Sequence, residues 1–361
     1  MTRSLTAETP LERAPGDSVS RYRARRRRHY WLLATMAVLT CVAVIADISI
    51  GPGQYSLGEL VTAIFDPGAA SRTLAVIVWE IRLPVALMAV VVGTSLAVAG
   101  AEMQTILNNP LADPFNLGIT HAASFGAALA IVLGFAVVPS VGPLLVTVNA
   151  FVLSMFSSLM IWSVSRLRGV SIQTMVLMGI ALMFFFNSLQ GMLQYIASAE
   201  ALQQLIFWTL GSLSKSSWPK VGLAALSLAL TLPFFLRAGW RLTALRLGDL
   251  HAKALGVNVG RLRLTVLLCS SLLASTAVAF VGTVPFVGLV APHIARLLVG
   301  EEQRIFLPMS ALTGALLMSL TSILSKTLIP GVLLPIGIIT ALIGLPFFVS
   351  LILKSRKELW G

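Results

Sequence analysis

Apolar residues in this chain are grouped in long runs separated by short polar stretches. A helix needs roughly 20 apolar residues to cross the ~30 Å hydrocarbon core of a bilayer, and about ten runs approach that length. The pattern therefore predicts an all-α, polytopic membrane protein of about ten transmembrane helices. The predicted runs cover residues 31–50, 84–107, 116–137, 142–165, 172–197, 217–236, 264–284, 286–299, 305–328 and 335–353.

Composition supports the same class, because 57% of the residues are apolar and only 11% are charged. Such a chain cannot cover a soluble globule with a polar coat. The first run is too long for a cleaved signal sequence, so we expect a retained helix. The predicted layout is a partly disordered basic tail over residues 1–30, a transmembrane domain over 31–354 with a polar loop at about 237–263, and a tail over 355–361.

Basic residues indicate the orientation, because they collect in cytoplasmic loops. Five of the 26 lysines and arginines fall in the predicted outside loops, and the other 21 fall in inside segments. Both termini are therefore predicted to be cytoplasmic. The cluster Arg25–Arg28 belongs to this signal, and we expect no nucleic-acid partner.

Motifs for chemistry are missing from the sequence. The chain has no Gly-x-x-x-x-Gly-Lys-[Ser/Thr] phosphate loop, no His-Glu-x-x-His and no Gly-x-Ser-x-Gly. Cys41 and Cys269 lie in separate apolar runs, which indicates neither a disulfide nor a metal site. We therefore expect no catalytic residue, no bound cofactor and no metal on this chain.

Four segments carry a family resemblance: Arg82-Leu-Pro, Asn109-Pro-Leu-Ala-Asp-Pro114, Phe286-Val-Gly-Leu-Val-Ala-Pro-His-Ile-Ala-Arg296, and Leu334-Pro-Ile-Gly-Ile-Ile-Thr-Ala-Leu-Ile-Gly-Leu-Pro-Phe347. In this order and spacing they resemble the permeases of bacterial ABC importers for iron siderophores, haem and cobalamin. The resemblance implies a type II ABC importer permease in the bacterial inner membrane. It also implies a second permease subunit, two ATPase subunits that use ATP and Mg, and a periplasmic binding protein. The implied cargo is a ferric chelate, with haem or cobalamin as the alternative.

The polar loop between the sixth and seventh runs contains a candidate amphipathic helix between Gly248 and Gly256. In the family that this chain resembles, the matching segment couples the permease to its ATPase subunits. The other interpretation is a helix lying on lipid. The candidate coupling residues are Leu247, Gly248, Asp249, Leu250, Ala254, Leu255 and Gly256.

Two outside basic residues, Arg82 and Lys326, match positions at which family permeases contact the binding protein. Val85 stands in place of a second arginine of the family motif, so the docking charge is reduced. We expect exposed charges that steer association, and membrane anchoring is the alternative.

The fifth run combines amides with large apolar residues. Such amides are unfavourable in lipid, so we expect their stripe to face protein or water. By resemblance the stripe lines the translocation path, and packing between helices is an equal alternative. The path residues are Met183, Asn187, Gln190 and Gln194, and the cytoplasmic gate residues are Ser171 and Ile172.

Two ionisable positions depart from the family pattern. Glu102 is expected near the cytoplasmic edge, paired with Arg166 or Arg168. His121 is expected to bond a neighbouring helix, and a contact with haem or iron stays open.

Two other classes of protein fit the sequence less well than a permease does. A gradient-driven secondary transporter would need an ionisable residue at mid-depth, but Asp47 and Glu102 both fall near helix ends. An intramembrane enzyme would need a nucleophile and a base on neighbouring runs, and the sequence offers no such pair. Transport without chemistry remains the prediction.

Orientation gives a direct prediction. A reporter that fluoresces only in the cytoplasm should be bright when fused after Gly361, because most basic residues lie on the inside. A periplasmic reporter at the same point should be silent. The reverse result would mean that one span has been miscounted.

Overall fold

The computed structural model describes residues 15–51, 53, 55–139, 142–168 and 171–359. These residues contain helices and turns, and no strand. The α-helices are α1 (Pro15–Ser49), α2 (Leu57–Phe65), α3 (Arg72–Val76), α4 (Leu83–Ile106), α5 (Ile119–Leu133), α6 (Leu145–Arg168), α7 (Ile172–Ile196), α8 (Ala199–Thr209), α9 (Trp218–Arg246), α10 (Asp249–Ala254), α11 (Val259–Val281), α12 (Val287–Val299), α13 (Gln303–Thr327) and α14 (Ile336–Leu359).

Each of the ten predicted apolar runs corresponds to one of these helices, which confirms the all-α class. Among the described residues, seven helical segments are long and apolar enough to cross a membrane: Arg23–Ser49, Arg72–Ile106, Leu145–Leu167, Ile172–Ile196, Trp218–Arg246, Val259–Val281 and Gln303–Thr327. Three shorter apolar helices, Ile119–Leu133, Val287–Val299 and Ile336–Ser350, account for the other runs.

Several boundaries differ from the predicted ones. Helix α1 begins at Pro15, so it includes residues 15–30 of the predicted basic tail, and residues 1–14 lie outside the described part. Helix α9 continues to Arg246, which shortens the predicted loop at 237–263 to residues 247–258. Helix α14 continues to Leu359 through the predicted C-terminal tail, and residues 360–361 are not described.

The second span is longer than its apolar run. Helix α3 joins α4 through a π-helical turn at Ile77–Arg82, so one continuous helical segment extends from Arg72 to Ile106. Short helices α2 and α8 lie in stretches that the sequence assigned to loops. The buried residues Leu60 and Ala63 of α2 pack against the N-terminal part of the Arg72–Ile106 segment, which begins with α3.

Helix α4 lies at the centre of the bundle and is buried along most of its length, in contact with α9, α11, α12 and α13. At two points of α4, the backbone of α12 or α13 lies too close for a side chain to fit between the helices. A Cβ atom at Gly100 would overlap the backbone of Gly288 on α12, and one at Gly93 would overlap the backbone of Gly314 on α13. Small residues at such crossings let membrane helices gain close packing, the main attraction available to them in lipid.

These crossings predict a strong response to one methyl group. Gly100→Ala should destabilise the protein by about 3 kcal/mol, because the backbone of Gly288 cannot move without displacing α12. Thermal unfolding in detergent, followed by size-exclusion chromatography, measures the change. Gly222→Ala on α9 is the matched control, since a Cβ there meets nothing within 4 Å. Equal unfolding temperatures for the two variants would contradict the packing argument.

Candidate coupling, docking and path sites

The loop between α9 and α11 is built around two glycines with left-handed backbone angles. Gly248 precedes α10 with a φ of 101°, and Gly256 follows it with a φ of 80°. Side chains with a Cβ are strained in this region, so glycine permits the chain to turn out of α9 and back toward α11. The short helix predicted between Gly248 and Gly256 is present, as α10.

One face of this loop is apolar and uncovered. Leu250 is 82% exposed, and Ala252 is the buried residue of α10. We call the exposed set the loop patch. It consists of Leu247, Leu250, Ala254 and Leu255.

The opposite side of α10 is fixed by an arginine of α11. Arg263 donates from Nη1 to Asp249 Oδ2 and from Nη2 to Asp249 Oδ1, both at 2.7 Å. Its Nε donates to the carbonyl oxygen of Ile106 at 2.9 Å. Ile106 is the last residue of α4, so one guanidinium joins α10, α11 and α4.

A buried polar cluster surrounds the same end of α4. Glu102 is fully buried and does not pair with Arg166, which stacks on Trp162 instead. The side chain of Arg168, the other predicted partner, lies outside the described residues. Gln303 of α13 approaches Glu102, with its Nε2 3.5 Å from Oε2. The same Nε2 donates to Thr105 Oγ1 at 2.8 Å. Glu102 therefore contributes to the contact between α4 and α13.

Two arginines converge beside this cluster. Arg246, the last residue of α9, and Arg296 of α12 both form ion pairs with Glu301, and Arg296 Nε lies 2.9 Å from Glu301 Oε1. Both guanidinium groups stack on the Phe306 ring, 5.3 and 5.5 Å from its centroid. Partial burial would raise the pKa of Glu301, but the hydrogen bond from Arg246 and the two positive charges hold it below its ordinary value. We call the end of the bundle that holds Arg246, Arg263 and Arg296 the basic end.

Arg82 lies at the opposite end and is not the exposed docking charge that the sequence predicted. It is only 3% exposed. Its Nη1 donates to the carbonyl oxygens of Ile48 and Ser49, each at 3.0 Å, and its Nη2 donates to that of Gly53 at 3.3 Å. These contacts attach the end of α1 to the start of α4, which is a structural role.

Lys326 is also engaged within the chain. Its Nζ donates to Asp47 Oδ1 at 2.7 Å and to the Asp47 carbonyl oxygen at 3.0 Å, and Asp47 is fully buried. Lys326 and Arg82 line one cavity of about 130 Å³, together with Ser322 and Leu334. Both basic residues therefore make internal contacts, and their contact with a binding protein stays a prediction.

The predicted amide stripe of α7 lies along the edge of the face that packs on the bundle, so its residues differ in exposure. Gln190 is buried, Met183 and Gln194 are half-buried, and Asn187 is exposed. The face that packs on the bundle is instead formed by Met175, Gly179, Leu182, Phe186, Gln190 and Leu193. Gln190 therefore faces protein as expected, while for Asn187 the expectation that it faces protein or water stays a prediction.

Comparison with known proteins places these sites in context. The sequence model of the FecCD transport family matches residues 39–354. The chain belongs to the FecCD transport family. It is 35% identical to a putative ABC transporter permease protein of Methanocaldococcus jannaschii, over 95% of this chain and 99% of that protein. It is 38% identical to the hemin transport system permease protein HmuU of Yersinia pestis, over 79% of this chain and 85% of HmuU.

The fold agrees with the same family. A solved structure described as an inward-facing conformation of a putative metal-chelate type ABC transporter matches with a TM-score of 0.77 at 31% identity. The match covers 89% of this chain and 98% of that one. Other relatives are named for iron chelatin, molybdate and vitamin B12 transport, so the family membership does not specify one cargo.

The remaining predicted positions of this FecCD permease have local roles. Ser171 caps α7 by accepting a hydrogen bond from Thr174 N at 3.1 Å, and Ile172 packs on the core. His121 stacks edge-on against Phe115, with ring centroids 5.2 Å apart. In the described part of the chain, no three His, Cys, Asp or Glu residues lie close enough together to hold a metal.

The buried contacts of Arg82 predict a loss of stability when it is replaced. Arg82→Met should destabilise the FecCD permease by about 2 kcal/mol, because three backbone carbonyls lose a charged donor. Arg72→Met, which removes an exposed arginine ten residues earlier, is the control and should change the unfolding temperature little. A stable Arg82→Met protein with slower binding-protein association would restore the docking role.

Proposed function

We propose that this chain is the permease subunit of an ATP-driven importer that moves a ferric chelate across the bacterial inner membrane. Two such permease subunits would enclose the path, two ATPase subunits would bind the basic end, and a periplasmic binding protein would deliver cargo to the opposite end. ATP and Mg are used by the ATPase partners, and this chain binds no cofactor.

The observation that carries this proposal is the loop patch at the basic end. Leu250 on α10, together with Leu247 before the helix and Leu255 after it, leaves apolar surface uncovered. Exposed apolar side chains rimmed by polar residues are typical of a protein interface. A short helix with an apolar face is suited to a groove on a partner. The basic residues around it favour the cytoplasmic side, where an ATPase would be found.

The exposure of α7 supports a second permease subunit. Asn187 lies well inside an apolar span but is exposed on the surface of one chain. An amide facing lipid is unfavourable, whereas one facing a water-filled path or a partner helix is satisfied. We therefore propose that α7 lines a central path between two subunits, with Met183, Asn187, Gln190 and Gln194 contributing to it. Ser171 and Ile172, at its start, are the proposed gate.

The cargo is proposed from the relatives. HmuU is named for hemin, two Helicobacter pylori relatives are named for iron chelatin, and the solved structure is described as metal-chelate type. These names favour an iron chelate. Relatives named for vitamin B12 and molybdate make those compounds the alternatives to include in an uptake assay.

Charge on the loop patch should prevent ATPase binding. Leu250→Asp together with Leu255→Asp should abolish co-purification of the ATPase and ATP-dependent uptake of the ferric chelate by proteoliposomes, since carboxylates cannot enter an apolar groove without a large desolvation cost. His251→Asp is the control, because His251 is exposed on the same helix but is not part of the patch.

Each result has a clear meaning. Normal ATPase co-purification with the double variant would remove the loop patch from the interface. Uptake that survives without ATP and collapses with the proton gradient would instead indicate a secondary transporter.

A further inference from the structure

Arg263 contacts the central helix of the bundle as well as the loop helix α10. Its side chain is 2% exposed, and it is among the largest fully buried side chains in the described chain. It lies in the second turn of α11 and reaches two other helices, through Asp249 of α10 and through the Ile106 carbonyl of α4. These three helices include the proposed ATPase contact and the central helix of the bundle.

The attachment of α10 to the rest of the chain depends on few contacts. Helix α10 contacts chiefly α9 and α11, and Ala252 is its buried residue. One alanine methyl group can slide against its neighbours without losing much contact. The two parallel hydrogen bonds between Arg263 and Asp249 instead fix both distance and orientation, because the guanidinium and carboxylate planes must stay aligned.

The contact with α4 is equally directional. Ile106 is the last residue of α4, and the carbonyls of a final helical turn have no partner within the helix. A buried arginine satisfies the Ile106 carbonyl and places positive charge at the negative end of the helix dipole. Thr105, the preceding residue, accepts hydrogen bonds from Arg246 of α9 and Gln303 of α13. Displacement of this end of α4 therefore moves α9 and α13 with it.

Arg263 is buried but the Asp249 side chain is 43% exposed, so desolvation of the guanidinium and solvent screening of the carboxylate both reduce what the ion pair adds to stability. The Arg263 guanidinium nevertheless makes two parallel hydrogen bonds to α10 and a third to α4, and this arrangement indicates that the residue fixes the geometry of the three helices. We propose that Asp249 and Arg263 are positioning residues that form a rigid joint, through which displacement of α10 by the ATPase is transmitted to α4. This inference rests on the proposed coupling function and adds to it the residues that carry the movement.

The test removes the joint without leaving a buried charge. Asp249→Ser combined with Arg263→Met takes away both charges, and methionine fills the space of the arginine stem. We expect the double variant to unfold within a few degrees of the unchanged protein and to co-purify with the ATPase, since the loop patch is intact. Substrate transported per ATP hydrolysed should fall at least tenfold. ATPase stimulation by the binding protein should fall similarly.

Two further variants separate coupling from fold. Arg261→Met removes an exposed arginine two residues earlier on α11 and should leave transport per ATP unchanged. Arg263→Lys keeps the buried charge but replaces the two-bond fork by a single ammonium, so transport per ATP should fall severalfold with ATPase binding intact. This variant decides the question if the double variant does not fold.

The outcomes distinguish this proposal from the coupling role on which it rests. Transport per ATP at the unchanged level in a folded double variant, or in Arg263→Lys, would overturn the joint while leaving the loop patch as the ATPase contact. Loss of ATPase co-purification in the double variant would show that the pair only shapes the docking surface, which also overturns transmission. If Leu250→Asp with Leu255→Asp leaves ATPase binding normal, the underlying coupling function fails instead.

Discussion

The close crossing of α4 with α12 and α13 is the constraint on which the rest of the structure depends. Gly93 and Gly100 bring the α4 backbone against Gly314 and Gly288, where no Cβ atom fits. Lipid is as apolar as leucine, so burial of apolar surface gives membrane helices little reason to associate. Backbone contact supplies dispersion attraction over a large area, and it fixes the register of three helices at once.

Both ends of this central helix are held by buried arginines that bind backbone carbonyls. Arg82, immediately before α4, binds the carbonyls of Ile48, Ser49 and Gly53 at the end of α1 and beyond. Arg263 binds the carbonyl of Ile106 at the other end. A guanidinium suits these positions because it stays charged and offers five donors in a fixed plane. Helix α4 is thus a rod of about 36 Å, at 1.5 Å per residue, that is fixed at each end.

The sequence predicted the ten helices well because the thickness of the bilayer sets the length of an apolar run that can cross it. It also predicted α10, since Gly248 and Gly256 mark both ends of a short local pattern. It missed α2 and α8, which are too short to leave a membrane signal. The i, i+3, i+4, i+7 spacing of Leu57, Leu60, Val61 and Ile64 is the signal that could have identified α2.

The errors in the site assignments have a common cause. Arg82 was interpreted as an exposed charge because it precedes an apolar run, and nothing local shows that carbonyls of residues 48–53 converge on it. Glu102 was paired with Arg166 or Arg168 because all three were predicted at the same membrane edge, but its neighbour in the structure is Gln303, about 200 residues away on α13. Such contacts depend on the fold and have no local pattern.

The arrangement of helix contacts suggests how the two ends of the permease communicate. Helix α7, which carries the proposed path residues, contacts chiefly α5 and α6. Helix α11 contacts α4 and α9 on one side and α5 and α6 on the other, and Arg263 lies near its start. A helix that is packed on both groups transmits displacement as a rigid element, because close-packed interiors deform little. Movement of α10 that passes through Arg263 to α4 and α11 would therefore reach α7 by way of α5 and α6. In that arrangement only packed helices connect the proposed joint to the proposed path. Their rigid movement would be enough to link the two.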